Sequence, residues 1–169
     1  MITCHFENGD EGDLRHVTVN TIIQKDGQIL LGKRGTFKGK EILESGKWGL
    51  IGGFFDRDET LVDAAKREAV EETGWKIDNL KLFQIDDSPK RSKEDRQNVD
   101  FLFIADAVSR TPTDNEEIKE LKWFPIDNLP SEKEMAFDFG EYLETYKKYL
   151  NEEFMLPIIG SIVYNRTSV

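Results

Sequence analysis

The chain has 169 residues, with 23 Lys plus Arg against 33 Asp plus Glu and a formal net charge of −10. That balance excludes a nucleic-acid polymer as partner, since such binding needs a basic surface that displaces counterions; an aromatic share of 11% excludes wholesale disorder, and the length suits one domain over residues 1–169. The lone Cys4 excludes an internal disulfide, and neither the first residues nor the apolar stretch Phe154 to Tyr164, broken by Pro157 and Gly160, reads as a signal peptide or membrane span, so the expected setting is cytoplasmic with no membrane partner.

Val17 to Ile23 is rich in β-branched residues and predicts a strand; Gly27 marks a turn and Gln28 to Arg34 its hairpin partner. Gly35 to Lys47 is polar and reads as a surface loop. Trp48 to Phe55 is apolar and leads into Asp56, Asp58 and Thr60, which are helix-start signals. Leu61 to Thr73 is dominated by strong helix formers, and Gly74 stands where a helix takes its left-handed C-terminal residue. Trp75 to Ile85 and Val99 to Val108 predict strands on either side of the charged segment Asp86 to Asn98, and Leu121 to Phe124 a further short strand. From Glu134 to about Glu153 apolar residues recur at helical spacing, including Phe139, Tyr142, Leu143, Tyr146 and Leu150. Strands interspersed with two helices predict a layered α/β domain. The tail from Phe154 is expected to pair as a strand, to pack on its own domain or to meet a second subunit.

The chemistry concentrates on the first helix. At 100° per residue Glu68 and Glu72 project about 20° either side of Leu61, on the face that carries Ala65, and Glu71 lies about 80° away. Three carboxylates within one turn repel one another, and two of them sit where the helix dipole disfavours anions. A bound cation resolves the conflict, and oxygen ligands with no His or Cys beside them suit Mg²⁺ or Mn²⁺. The plainer reading is a solvated face of charges. Cys4, His5 and His16 match no usual zinc spacing.

The flanking residues decide between these. Gly53 to Trp75 reads GFFDRDETLVDAAKREAVEETGW, with Gly53, Glu59, Arg67, Glu68, Glu71, Glu72 and Gly74 in fixed relation. This segment resembles the box of the Nudix hydrolases: Gly, five residues, Glu, seven residues, then Arg-Glu-x-x-Glu-Glu-x-Gly. The preceding Trp48-Gly-Leu-Ile-Gly-Gly and the hairpin end Leu30-Leu-Gly-Lys-Arg34 are also similar to that family. Two positions depart from its usual pattern: Ile51 stands where Pro is common, and Ala69 where a larger aliphatic residue is.

The resemblance implies an α/β/α sandwich around a mixed central sheet and metal-dependent hydrolysis of a diphosphate linkage in a small nucleotide. It assigns Glu68, Glu71, Glu72 and the Gly52 carbonyl to the metal, with Glu68 also a candidate to activate water. Arg67 holds the glutamates by ion pairing, and Glu59 supports the site from behind. Pro89 and the segment Ala136-Phe-Asp-Phe-Gly-Glu141 resemble the ADP-ribose pyrophosphatase group, which implies AMP and ribose 5-phosphate as products. Pyrophosphate release from nucleoside triphosphates, oxidised ones included, and a non-cleaving nucleotide sensor stand as alternatives, and the resemblance also admits a homodimer. Arg34, Arg91 and Arg96 are candidates for phosphate or ribose, because guanidinium matches phosphate as a fork. Trp48 or Phe37 is a candidate for stacking on a base, with core packing the plainer role for Trp48, and Glu94 is a candidate base from a loop.

Overall fold

In the computed structural model, which describes residues 2–89, 97–152 and 154–160, twelve strands and two α-helices follow one another. The strands are β1 (Ile2–His5), β2 (Glu11–Leu14), β3 (Val17–Lys25), β4 (Gln28–Arg34), β5 (Thr36–Phe37), β6 (Lys40–Glu41), β7 (Trp48–Gly49), β8 (Ile51–Phe54), β9 (Trp75–Asp86), β10 (Val99–Arg110), β11 (Ile118–Pro125) and β12 (Ile158–Ile159). Helix α1 (Leu61–Thr73) lies between β8 and β9, and α2 (Phe139–Asn151) between β11 and β12.

Asp26 and Gly27 both take positive φ, 50° and 74°, so the hairpin β3–β4 closes through the two-residue turn whose twist matches its strands. Next to that turn Ile23–Lys25 pairs with Gln28–Leu30. The strands then diverge, and β8 pairs antiparallel with Thr18–Thr21 of β3 while β7 pairs with Gly32–Lys33 of β4. The main sheet runs β11-β4-β3-β10-β9-β12. It is mixed: β3 and β10 are parallel, as are β9 and β12, and the other neighbours on this path are antiparallel.

Alternation along the central strands sorts side chains onto two faces. Ile22, Ile29, Leu31, Leu102 and Ile104 pack with Phe139, Tyr142, Leu143 and Tyr146 of α2. Val19 and Phe103 pack with Ala64 and Ala65 of α1, while Ile23, Leu30 and Ala105 pack with Ala69. The result is the expected α/β/α sandwich. Ile51 and Ala69, the two departures from the family pattern, belong to the same buried cluster, so the larger strand residue fills space beside the smaller helix residue.

Helix α1 begins and ends where the sequence predicts. Thr60 and Asp63 form a reciprocal capping box, and Gly74 at φ 73° donates its N–H to the Val70 carbonyl. Helix α2 starts at Phe139 rather than Glu134. Residues Glu132–Glu134 form a 3-10 turn, Met135 is extended, and Phe137 takes φ +50°, so helical continuity is broken before Asp138. Two hairpins within polar sequence, β1–β2 and β5–β6, were not expected; the second turns on Lys38 and Gly39, both at positive φ. The tail contributes β12, parallel to Gln84–Ile85. Among the described residues no helix is long and apolar enough to cross a membrane.

Candidate active site

The register of β8 on β3 sets Gly52 opposite Asn20 and Gly53 opposite Val19, with α1 packed behind. Gly52 has φ 154°, and a Cβ there would lie 2.0 Å from the Val19 carbonyl oxygen. A Cβ on Gly53 would lie 2.5 Å from Glu68 Oε1. The paired glycines therefore let strand backbone approach both the neighbouring strand and the helix carboxylates. Gly52 donates its N–H to Glu72 Oε2 at 3.0 Å.

Arg67 organises the acidic groups. Its Nε and Nη2 fork onto Glu59 at 3.0 and 2.8 Å, Nη2 also donates to the Phe54 carbonyl at 3.0 Å, and Nη1 donates to Glu68 at 2.8 Å and Glu71 at 3.1 Å. All five donors of the guanidinium are used, a geometry that lysine cannot reproduce. Glu59 also accepts from the Asp56 N–H at 2.8 Å, and its pKa is lowered chiefly by the Arg67 hydrogen bond.

The other glutamates are not equivalent. Glu71 is exposed at the rim, with 55% of its side chain accessible. Glu68 is largely buried; desolvation raises its pKa and Arg67 opposes the rise. Glu72 is 8% exposed, and its pKa is pushed up to about 8 by burial and then by Glu68, against the Gly52 N–H and Arg34.

These groups open into a cavity of about 380 Å³. Among the described residues five carboxylates, Asp56, Glu68, Glu71, Glu72 and Glu117, line it against two guanidiniums, Arg34 and Arg67. Glu117, also on the lining, stands near enough to Glu68 and Glu72 to raise both pKa values. As the side chains lie, no three carboxylates among the described residues surround one point at ligating distance. The donor set nonetheless fits a hard divalent cation: carboxylate oxygens predominate, and one carboxyl is so desolvated that its charge needs a counter-ion.

Comparison with known proteins agrees with this geometry. The family model for the NUDIX domain matches residues 14–146. The chain belongs to the Nudix hydrolase family. It is 33% identical over 135 residues to the ADP-ribose pyrophosphatase of Methanocaldococcus jannaschii, covering 80% of this chain and 75% of that one. Over 114 residues it is 32% identical to the oxidized purine nucleoside triphosphate hydrolase of Mus musculus, covering 64% and 65% respectively. The crystal structure of a NUDIX hydrolase from Nitrosomonas europaea superposes with a TM-score of 0.71 at 24% identity, over 90% of this chain and 81% of that one, and supports the fold. Nudix hydrolases act on nucleotide derivatives and generally use divalent cations.

The Nudix helix and its preceding loop thus bring Gly52, Glu59, Arg67, Glu68, Glu71 and Glu72 together. Arg34 also reaches the cavity, with its guanidinium 4.9 Å from the Phe137 ring centre and Nε donating to the Leu43 carbonyl at 2.8 Å. Trp48 does not reach it. Its indole is 8% exposed and packs edge-on against Phe124 at 4.9 Å, so the stacking role is corrected to core packing. Phe37 lies on the outer β5–β6 hairpin, 48% exposed and away from the cavity lining. Arg91, Glu94 and Arg96 fall outside the described residues.

Sequence reasoning missed several cavity residues. Thr18 and Asn20 alternate with the apolar Val17 and Val19 on β3, a signal that was available; both donate to the buried Asp100 carboxylate, at 2.7 and 2.6 Å. Glu117 carried no such signal, because it lies in an acidic run that reads as a solvated loop.

Proposed function

We propose that this Nudix hydrolase is Mg²⁺-dependent and cleaves the diphosphate bond of a nucleoside diphosphate derivative, with ADP-ribose converted to AMP and ribose 5-phosphate as the leading reaction. The observation that carries the reading is the joining of Arg67, held by Glu59, to Glu68 and Glu71 beside the desolvated Glu72, with Arg67 and these last three glutamates lining one cavity. The substrate assignment draws its support from the 33% identical relative named as an ADP-ribose pyrophosphatase.

Glu68, Glu71 and Glu72, with the Gly52 carbonyl, hold Mg²⁺, and Mn²⁺ suits the same oxygen donors. When bound, the cation supplies charge neutralisation for the diphosphate and a more acidic attacking water. Arg67 fixes the glutamates from behind and Glu59 fixes Arg67, so neither needs to touch substrate. Glu68, half-desolvated and facing the cavity, is the candidate to accept the water proton. Arg34, on the lining of the same cavity, offers a guanidinium to the phosphate or terminal group. In the net reaction water adds to one phosphorus, the bridging P–O bond breaks, and each product keeps one phosphate.

The 32% identity to an oxidized purine nucleoside triphosphate hydrolase supports a second reading, release of pyrophosphate from a triphosphate. Product analysis of the purified chain with Mg²⁺ separates the two, using ADP-ribose, nucleotide sugars, dinucleotides, and normal and oxidised nucleoside triphosphates. AMP from ADP-ribose at a kcat/KM of about 10⁴ M⁻¹s⁻¹ or more is expected. Pyrophosphate from a triphosphate moves the chain to the second class, and tight nucleotide binding without turnover marks a sensor.

A further inference from the structure

The C-terminal end of α1 leaves carbonyls without intrahelical partners, that of Glu71 among them. The end of β10 and the segment that follows it supply those partners. Arg110 Nε donates to the Thr73 carbonyl at 3.1 Å, the Thr111 N–H donates to the Gly74 carbonyl at 2.9 Å, and Asn115 Nδ2 donates to the Glu71 carbonyl at 3.0 Å, with Thr113 Oγ1 a longer second donor at 3.4 Å. The close seating of the segment on the helix shows at Gly74, where a Cβ would fall 1.8 Å from the Thr111 carbonyl oxygen.

Asn115 does more than cap. Its other amide atom, Oδ1, accepts the Glu117 N–H at 2.7 Å. One side chain therefore joins the main chain of Glu71 on the helix to the main chain of Glu117, which also lines the cavity. The Glu117 carbonyl accepts in turn from the Gly35 N–H at 2.7 Å, which anchors the same residue to the end of β4. Both ends of Asn115 are needed, since a residue that only accepts from the N–H two positions on makes the local turn but leaves the helix untied.

We propose that Asn115 is a positioning residue that sets the separation between Glu117 and the carboxylates of the Nudix helix, and so sets the affinity of the site for a divalent cation. The inference rests on the metal-binding reading of those carboxylates. It goes beyond that reading by placing control of the site in a neutral residue outside the box, with no atom on the cation. Groups that orient ligands from behind typically change metal affinity by about 10–100-fold when removed.

The test is a titration of the full chain with Mn²⁺ alone, following free Mn²⁺ by electron paramagnetic resonance, with melting temperatures in chelator as the control for folding. Asn115→Ala removes both bonds. Asn115→Asp keeps the acceptor for the Glu117 N–H but loses the donor to Glu71. Each is expected to raise the Mn²⁺ Kd about tenfold with little change in metal-free melting temperature. An added negative charge alone tightens cation binding, so weakening by Asn115→Asp reads geometry rather than charge. In a Glu117→Gln background the Asn115→Asp change is expected to add less than about twofold, because residues acting through one another are not additive. Wild-type affinity in Asn115→Asp, or a full tenfold loss in the Glu117→Gln background, overturns the proposal. Saturable binding in the wild type that Glu72→Gln leaves intact overturns the reading of the carboxylates itself and this proposal with it.

Discussion

Glu72 gives the sharpest prediction, because its burial makes the fold's stability depend on pH in an unusual direction. In the folded chain its pKa is about 8, against 4.5 for an ordinary glutamate. Between those values the native state keeps a proton that the unfolded chain has released, so stability falls as pH rises through this window and levels off above it. Integrated with those two pKa values, the loss relative to strong acid is about 1 kcal/mol at pH 5.5 and about 4 kcal/mol at pH 8, a difference of about 3 kcal/mol. Glu72→Gln removes the titration while keeping an acceptor for the Gly52 N–H. The assay is urea denaturation of wild type and variant in chelator across pH 5.5 to 8, so that groups common to both cancel. Wild type is expected to lose about 3 kcal/mol more than the variant across that range, or about 6–12 °C in Tm for a chain of this size. Saturating Mg²⁺ is expected to restore wild type at pH 8 and to leave the variant nearly unmoved. Parallel pH profiles for the two proteins refute the claim that Glu72 ionises against its surroundings.

Gly53→Ala is expected to lower kcat at least tenfold with a change in stability below about 1 kcal/mol, because the added Cβ meets the movable Glu68 carboxylate at 2.5 Å; unchanged turnover removes Glu68 from the chemistry. Trp48→Phe is expected to destabilise the core by about 1–3 kcal/mol while leaving KM for the preferred substrate unchanged, and a raised KM at unaltered stability reinstates the indole as a substrate contact.

What could be read from the sequence followed from how local the determining physics is. Helix α1 and its glutamate spacing were legible because Thr60, Gly74 and the residues between them carry the caps and the helical period within one short segment. The β3–β4 turn was legible through Gly27 for the same reason, and the structure adds Asp26 as its other positive-φ residue. The start of α2 was not, since Phe137 takes its positive φ from the tertiary setting, where the Arg34 guanidinium covers its ring and the Ala136 N–H is held by the Trp48 carbonyl. Trp48 was ambiguous in sequence because an aromatic residue before a glycine pair suits a pocket wall as well as a core; only its contact with Phe124 decides. Glu117 was hidden because its place depends on the bulge between Ile118 and Glu120 and on hydrogen bonds to Asn115 and Gly35.

The charge of the site brings these elements to one argument. A chain of net charge −10 that takes an anionic substrate needs positive charge it does not itself carry in sufficient amount. Arg67 cannot supply it to the substrate, because all five of its donors are already spent on Glu59, Glu68, Glu71 and the Phe54 carbonyl. Among the described residues Arg34 is the other cation on the cavity lining; it sits over Phe137 and lies near enough to Glu72 to oppose the rise of its pKa. Under the proposed reaction the work divides accordingly: Arg67 keeps mutually repelling glutamates folded together, Arg34 is left to receive the substrate, and the remaining negative charge calls for a divalent cation as the bridge between carboxylates and diphosphate. A lysine at position 67 preserves the charge but loses the fork onto Glu59, which is why the arrangement depends on the shape of the guanidinium as well as its sign.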